Sequence, residues 1–491
     1  MRSYGKKIGS ALALACFLLL GACSARVSTE DIRSSLNAGN YEDLQEKMQT
    51  AHEEHQEFVT ALNLARVYQL QGRWRESIAL YDSGLRILEE YEQRAIINLR
   101  EALGTVGSIL IARGSKDYFG TGYERTLLHT FNSLNYLMLG DFTGAMVEMR
   151  KMEQRQELWL AEEERRLQEH LEDLRERSSA NYDDLSGLPA NYTMTALLND
   201  PRTKAVARSY QDAFSYSLSA IVCRLAGDPD YAAISLRRAA LLDQNARILF
   251  SAAWGKGKIT AGQWEPVIPK APSAQPSLAR VLNVLKPSSD AKGKNSQEIS
   301  VIVFCGLAPA LHMERVRIPA PYIGYVLVDL PAFFPPLQYG TPTVESSTGQ
   351  GLPLYALLHT DLLAYRTLKD ELRYEVGSAI ARAVSRAAIA GATYAAAASN
   401  KNTQSFAPLL GALATGIMDL FSSGASQNVR NWELLPAEAY LSQGQVRKGE
   451  SVRIQIEREM VEIDLPQEAN GVIIIVSHAA KAKMRVDYVA Y

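Results

Sequence analysis

The sequence lacks the motifs by which the common enzyme classes are recognised. It has no Gly-x-Ser-x-Gly nucleophile elbow, no phosphate-binding loop with the Walker spacing and no cysteine pair at zinc-ligand spacing. His52 and His55 are three residues apart, which misses the His-Glu-x-x-His spacing of a zinc protease helix. We therefore predict no catalytic residue, metal ligand or cofactor, and expect the chain not to be an enzyme.

Net charge is also nearly absent. The chain has 52 basic and 54 acidic side chains, and the resulting net charge of −2 argues against a nucleic-acid partner. Hydrophobic residues make up 47% of the sequence, which is ordinary for a globular protein with real cores. The length of 491 residues gives a prior of roughly three domains.

A short apolar run at the N-terminus predicts export. Three basic residues precede an apolar stretch over 8–20 that is too short to span a membrane. The stretch ends in Leu-Gly-Ala-Cys at 20–23, a lipobox in which small residues fit a signal peptidase and the Cys23 thiol accepts diacylglycerol. Residues 1–22 are thus predicted to be a lipoprotein signal peptide. The alternative is an ordinary signal peptide with a chance cysteine.

The lipid anchor predicts the compartment. Several acyl chains, such as palmitate, anchor a protein stably because each buried CH₂ contributes roughly 0.8 kcal/mol. Ser24 stands where an aspartate would be the usual inner-membrane retention signal, which favours the outer membrane, facing the periplasm. Cys223 and Cys305 are then the mature chain's two free thiols. They could pair in this oxidising compartment, but their apolar surroundings favour two buried, unpaired cysteines.

Residues 23–252 read as one helix after another, and we interpret them as a tetratricopeptide-like (TPR-like) solenoid. Gly39, Gly72, Gly140 and Gly227 mark the turns. The first two are 33 residues apart and the next interval is 68, close to one and two periods of roughly 34. Stacked helical hairpins form a concave groove, so the sequence predicts a protein or peptide partner bound there.

Small and aromatic residues recur at fixed offsets from these glycines. Small residues let paired helices approach closely, and glycine permits the tight turn. Aromatic residues are expected to fill the gap between hairpins, which predicts that Tyr68 and Tyr136 are largely buried.

Three further segments complete the predicted organisation, and the expected fold class is α+β. The charged run at 148–177 has leucines every seven residues and predicts a long helix, either a coiled-coil arm or a solvated face. Residues 253–297, rich in glycine, proline and serine, predict a linker. Residues 298–491 predict a β-rich domain, in which the prolines between 319 and 342 favour edge strands or extended loops.

An Ala/Gly-rich helical hairpin is predicted to interrupt the β-rich domain at about 360–422. Arg382, Arg386 and Asp419 make a conventional membrane span unfavourable. The favoured interpretation is a small-residue hairpin packed against the sheet. The alternative is self-association into a homo-oligomer, or a hairpin that lies on the membrane through residues 376–421.

Three segments carry a resemblance to a known family. They are residues 118–125 (YFGTGYER), 304–309 (FCGLAP) and 430–436 (RNWELLP). These segments resemble a family of uncharacterised bacterial TPR-containing outer-membrane lipoproteins. In relatives a lysine and a glutamate usually follow the Gly-Leu-Ala-Pro turn, and here Glu314-Arg315 supplies only part of that pattern. The resemblance covers most of the mature chain and implies an envelope lipoprotein without assigned catalytic residues.

Two clusters within those segments are the candidate sites. Tyr123, Glu124 and Arg125 form a candidate partner-binding polar cluster, and the favoured alternative is a glutamate–arginine contact that fixes a helix start. Arg430 and Trp432 form a candidate binding surface, and the favoured alternative is a tryptophan that anchors a helix to the sheet.

The predicted function is a membrane-tethered periplasmic scaffold in cell-envelope assembly or maintenance. One alternative is an envelope-acting hydrolase without a recognisable motif. Another is an oligomeric, membrane-associated secretion component.

Overall fold

The fold is described from a computed structural model that covers most of the chain from residue 27 onward. The described residues are 27–101, 118–157, 191–253, 295–320, 324–337, 339–349, 351–372, 430–479 and 484–491. The predicted signal peptide with Cys23, most of the charged run, nearly all of the linker and most of the small-residue hairpin lie outside them.

The fold class is α+β, with helices first and strands afterwards. The helices up to the linker are α1 Thr29–Asn37, α2 Tyr41–Glu54, α3 Phe58–Leu70, α4 Trp74–Glu101, α5 Gly122–Met138, α6 described over 142–157, α7 Met194–Asn199, α8 Pro201–Ala205, α9 Ala213–Leu225, α10 Pro229–Leu242 and α11 Gln244–Ala253. A further helix, α12, is described over 360–372 and begins the predicted insertion.

Four helical hairpins (α1–α2, α3–α4, α5–α6 and α9–α10) turn in the same way. The turn glycine has a φ of 67°, 74°, 74° and 87°, which only glycine adopts without strain. In each turn the backbone N–H of the residue after the glycine donates to the carbonyl of the residue four positions before the glycine, at 2.8–2.9 Å. This bond closes a Schellman motif. The donors and acceptors are Asn40 and Ser35, Arg73 and Tyr68, Asp141 and Tyr136, and Asp228 and Cys223.

Small residues bring the two helices of a hairpin together, as predicted. The Ser77 hydroxyl donates to the Ala65 carbonyl at 2.8 Å, and the Ser133 hydroxyl donates to the Ala145 carbonyl at 3.0 Å. The two pairs occupy the same offsets, seven residues before and five after the turn glycine, with serine and alanine exchanged. Ala220, fully buried, takes the first of these positions in α9.

The prediction that Tyr68 and Tyr136 are largely buried is met only in part. Both are partly buried and pack against the edge of the hydrophobic core, and the guanidinium of Arg73 lies 4.4 Å from the centre of the Tyr68 ring. The aromatic residues that fill the space instead are Tyr81 and Phe131, both fully buried. The glycines located the turns correctly. The offsets from them did not show which aromatic residues would be fully buried against the next layer.

Among the described residues, ten strands form two sheets and a ribbon. The strands are β1 Ser296–Cys305, β2 Leu311–Ala320, β3 Gly324–Phe333, β4 Thr343–Ser346, β5 Tyr355–His359, β6 Glu438–Arg447, β7 Ser451–Ile456, β8 Glu459–Asp464, β9 Gly471–His478 and β10 Arg485–Ala490. The central sheet has the order β10-β9-β1-β6-β5, and only its β1–β9 pair is parallel. The small sheet has the order β4-β7-β8, and β2 and β3 form the ribbon, so both are edge strands.

Alternation along β1 divides the central sheet into two faces. Ile302 and Phe304 pack with the helices, whereas Val301 and Val303 pack with the three-stranded sheet. In the register of the sheet, Val303 lies between Tyr440 of β6 and Val476 of β9. The molecule therefore has three layers, and the helical hairpins share one hydrophobic core with the central sheet.

Both free cysteines are buried, which confirms the expectation of unpaired thiols. Cys223 lies in α9 and Cys305 at the end of β1. Burial raises the pKa of Cys223 to about 11 and that of Cys305 to about 12. Both thiols are therefore protonated at neutral pH and are poor nucleophiles.

Candidate functional site

Glu124 joins the two clusters that the sequence singled out. Its side chain is fully buried at the third position of α5. One carboxylate oxygen, Oε2, accepts the backbone N–H of Thr121 at 2.7 Å and the hydroxyl of Tyr118. The other, Oε1, accepts the backbone N–H of Trp432 at 2.6 Å. The carboxylate thus caps a helix and also fixes a segment more than 300 residues away along the chain.

Trp432 fills the space between the helices on the other side of this contact. It is fully buried, and its ring meets Tyr81 and Phe131 edge-on, with centroid distances of 5.9 and 5.7 Å. Two residues later, the backbone N–H of Leu434 donates to Oδ1 of Asn63 at 3.3 Å. Side chains of α3, α4 and α5 therefore contact this one segment, residues 430–436.

The Gly-Leu-Ala-Pro turn after β1 meets the same segment. The backbone N–H of Ala308 donates to the Leu435 carbonyl at 2.8 Å. Asn431 donates through Nδ2 to the Pro309 carbonyl at 2.9 Å and accepts the Leu311 N–H at 3.2 Å. All three segments that carry the family resemblance therefore converge, and we call this place the helix–sheet junction.

The other predicted site residues support the junction. Tyr123 is buried, and Nε of Arg125 donates to the carbonyls of Phe119 and Gly120 at 2.8 and 3.1 Å. Arg125 thereby holds the loop before α5, and Glu124 accepts the backbone N–H of Thr121, the residue that caps α5. The alternative predicted from the sequence was a glutamate–arginine contact that fixes the start of a helix. Both side chains do hold the start of α5, but through bonds to the backbone of residues 119–121 and to the Tyr118 hydroxyl.

Arg430 binds on the helical side, where its Nη1 lies 2.8 Å from Oε2 of Glu57, the residue before α3. This ion pair is only partly exposed, with 11% of the Arg430 side chain accessible. Together with Trp432 and Leu434, it gives the segment three attachments to the helical layer.

A buried cation lies beside the junction. The guanidinium of Arg66 is 4.6 Å from the centre of the Phe131 ring and 5.3 Å from that of Phe304, and Nη1 donates to Gln69 at 3.0 Å. Gln69 in turn donates to the Phe131 carbonyl and to Asn135, each at 2.7 Å. Burial lowers the pKa of Arg66 to about 10. Amides and ring faces, both weak partners for a cation, hold this charge between helices and sheet.

Sequence reasoning missed two titratable groups. The first is a buried carboxylate, Glu148 of α6, which lies 2.8 Å from Nδ1 of His129 and 2.8 Å from Nζ of Lys151. Burial by itself would raise the pKa of Glu148, but the hydrogen bonds from His129 and Lys151 and the charge of Lys151 hold it well below its usual range. Burial lowers the pKa of His129, so the imidazole acts on Glu148 as a neutral hydrogen-bond donor. The i, i+3 spacing of Glu148 and Lys151 is visible in the sequence, whereas the approach of α5 is not.

The second is a partly exposed group at the end of β5. Nδ1 of His359 lies 3.3 Å from Oε1 of Glu438, and the Tyr440 hydroxyl donates to Oε2 of Glu438 at 2.7 Å. The hydrogen bond to Glu438 raises the pKa of His359, and the nearby Asp361 and Asp243 act in the same direction. The sequence showed His359 only as one of several scattered histidines, because its partners lie on other elements.

Neither a metal site nor a membrane span is found in the part of the chain that is described. No group of three or more His, Cys, Asp or Glu side chains there is placed to hold a metal ion. No helix among the same residues is long and apolar enough to cross a membrane. His52 and His55 do not share a helix face, because α2 ends at Glu54.

Comparison with known proteins gives little further information. No protein-family model matches the chain, and no curated protein matches it. Among solved structures it is similar to the TPR2AB-domain:pHSP90 complex of yeast Sti1, with 16% identity over 45% of this chain and 78% of that chain. The TM-score is 0.18, too low to support a conclusion on fold or function. The evidence for helical repeats is therefore the four turns and their packing.

Proposed function

We propose that the protein is a lipid-anchored scaffold that binds a protein partner and serves in the assembly or maintenance of the cell envelope. The observation that supports this most is the helix–sheet junction. The residues that looked most like a polar site are buried and bound to backbone groups, so they stabilise a rigid body. A rigid structure of this kind can hold a binding surface in a fixed shape for a protein partner. We propose no catalytic activity for the protein.

The inner face of the hairpins is covered by the chain itself. The first helices of three of the four hairpins, α3, α5 and α9, are buried along nearly their whole length, whereas α1 is not. In an open solenoid these helices would line the concave groove. Here Phe304 and Trp432 pack against them, so we place the partner surface on the second helices, α6 and α10.

Apolar residues are exposed on these second helices. On α10, Ile234 lies between Tyr231 and Arg238 in one helical stripe and is 41% exposed. Arg238 reaches α6, where it binds Glu153 at 2.7 Å. We call this surface the outer helical face. Its exposed apolar residues are Val147, Ile234 and Leu241.

The partner surface is tested by photo-crosslinking in intact cells of the source bacterium. A photoreactive residue at Ile234 should give a discrete crosslinked species, whereas the same residue at Met460 of β8, which is 57% exposed, should not. The crosslinked band is then identified by mass spectrometry. Equal labelling from both positions, or no species from Ile234, would contradict the proposed surface.

The anchor is tested separately. Cys23→Ser should leave a chain without acyl groups that is lost from the outer-membrane fraction, because the acyl chains are the proposed attachment. A variant that fractionates like the unsubstituted chain would show that the anchor is not at Cys23.

A further inference from the structure

Phe334 is a large apolar side chain that the fold holds in an exposed position. It is 45% exposed just after the end of β3. Its backbone N–H donates to the Ala310 carbonyl at 2.8 Å, and its ring stacks on His312 with a centroid distance of 3.9 Å and an interplanar angle of 18°. Both contacts fix the direction of the ring, so its exposure does not come from a loosely attached loop.

The loop that follows Phe334 touches α1, the first of the described helices. Arg33 of α1 donates through Nη2 to the Pro335 carbonyl at 3.2 Å. The backbone groups of Leu337 and Leu307 exchange two hydrogen bonds at 3.0 and 3.1 Å, which tie the far end of the loop to the junction. Phe334 therefore lies on the same side of the molecule as the start of α1.

Only a short piece of chain separates α1 from the proposed anchor. The helix begins at Thr29, and the Ser28 hydroxyl caps it by accepting the Asp31 N–H at 3.1 Å. Six residue steps from Cys23 to Thr29 span at most roughly 20 Å, at about 3.3–3.6 Å each. A lipidated Cys23 would hold this side of the protein within that distance of the bilayer.

We propose that Phe334, Pro335 and Arg33, here called the anchor-side patch, contact the lipid headgroup region of the membrane. Aromatic rings are favoured at the membrane interface, and a guanidinium pairs well with lipid phosphates. Arg33 donates one N–H to the Pro335 carbonyl, and a guanidinium carries five N–H donors in all. Its charge also acts on the carboxyl of Glu433. This inference rests on the proposed anchor at Cys23. Its consequence is a second point of contact, which would fix the orientation of the scaffold on the bilayer.

Spin labels at two exposed aromatic positions test the patch. Phe334→Cys and Tyr488→Cys, the latter 55% exposed on β10, are labelled in the full lipidated protein. The protein is reconstituted in vesicles of phosphatidylethanolamine and phosphatidylglycerol. Cys223 and Cys305 are buried, and the unsubstituted chain measures their background labelling. Collisions with oxygen, relative to those with a water-soluble nickel complex, should be several-fold more frequent at position 334 than at position 488.

The outcomes separate the two proposals. The mass of the N-terminal peptide from the same sample shows whether Cys23 is acylated. If Cys23 is acylated and the label at position 334 collides with the nickel complex as often as the label at 488 does, the anchor-side patch alone is overturned. A chain without acyl groups would overturn the anchor and the patch together. Circular dichroism of both variants should match that of the unsubstituted chain, since both positions are exposed.

Discussion

The two faces of the central sheet are packed by different means. On the face toward the three-stranded sheet, aliphatic side chains such as Val301, Ile454 and Ile474 meet in a hydrophobic core. On the face toward the helices, apolar side chains again form the core, but Glu124 and Asn63 reach the backbone of residues 430–436. The helical face therefore adds buried hydrogen bonds to a segment that is distant in the sequence, and these bonds join the two layers.

This difference explains how the helical layer is held in one position. Apolar surfaces tolerate small shifts, because hydrophobic burial has no direction. A buried N–H without an acceptor costs about 1–3 kcal/mol, so the bonds to Trp432 and Leu434 favour one placement of the helices over displaced ones. The fixed position of the helical layer therefore depends on a few polar contacts at the helix–sheet junction.

The largest expected effect is that of removing the tryptophan from the junction. Trp432→Ala should lower the free energy of unfolding by about 3–5 kcal/mol, because a fully buried aromatic ring leaves a cavity. Urea denaturation followed by circular dichroism measures the loss. The control on the opposite face, Ile454→Val, should lower it by only about 0.5–1.5 kcal/mol. Equal losses from both variants would contradict the special place given to the junction.

A smaller but more specific effect is expected at Glu124. In Glu124→Gln one acceptor oxygen becomes an NH₂ group that faces backbone N–H donors, so the free energy of unfolding should fall by about 1–3 kcal/mol. Glu462→Gln on β8 is the matched control, because that carboxylate is exposed and its ion pair with Arg453 is 3.6 Å long. Its effect should stay below about 0.5 kcal/mol. If Glu124→Gln were equally mild, the carboxylate would not hold the junction.

The helical layer should also be sensitive to acid through Glu148. Its pKa is lowered in the folded state, so its contribution to stability is present above the ordinary value of 4.5 and is lost as the pH falls below it. Between about pH 5 and pH 3, Glu148→Gln should lose stability less steeply than the unsubstituted chain. Urea midpoints across this range measure the slope, and parallel slopes would show that the lowered pKa has no part in acid unfolding.

The smallest effect is expected at His359, which is partly exposed. Its pKa is raised by Glu438, so its contribution to stability is present below the ordinary value of 6.5 and disappears as the pH rises through the folded-state pKa. An NMR titration should place its midpoint above 6.5, and Glu438→Gln should lower that midpoint. His52 is an internal control, because burial lowers its pKa and its midpoint should lie below 6.5. A His359 midpoint below that of His52 would contradict the pairing.

The local features of the fold were readable from the sequence, whereas the junction was not. Gly72 and Gly140 each require a positive φ and end a helix with apolar spacing, so the sequence alone located their turns. The side of the helix that becomes buried depends on the next layer, and this is why Tyr68 and Tyr136 are only partly buried although the sequence predicted them to be largely buried. The same limit applies to Glu124, whose partner Trp432 lies 308 residues away.

The prediction for Trp432 was partly informative. A tryptophan that anchors a helix to the sheet was the favoured alternative to an exposed binding surface, and the ring does pack between α4 and α5 on the helical side of the sheet. The residue type indicated an anchor, because a large aromatic side chain stabilises most when buried. Its position against the helices could not be predicted, because it depends on how three segments that are distant in the sequence pack together.

Hydrogen exchange of the Trp432→Ala variant tests the central claim most directly. The claim is that the junction joins the helical hairpins and the central sheet into one unit that unfolds together. Exchange is measured by mass spectrometry on peptides from α5 and from β9, which both face the shared core. The account predicts that both peptides lose protection by the same free energy. If the β9 peptide kept its full protection while α5 opened, the two layers would be independent and the account would be wrong.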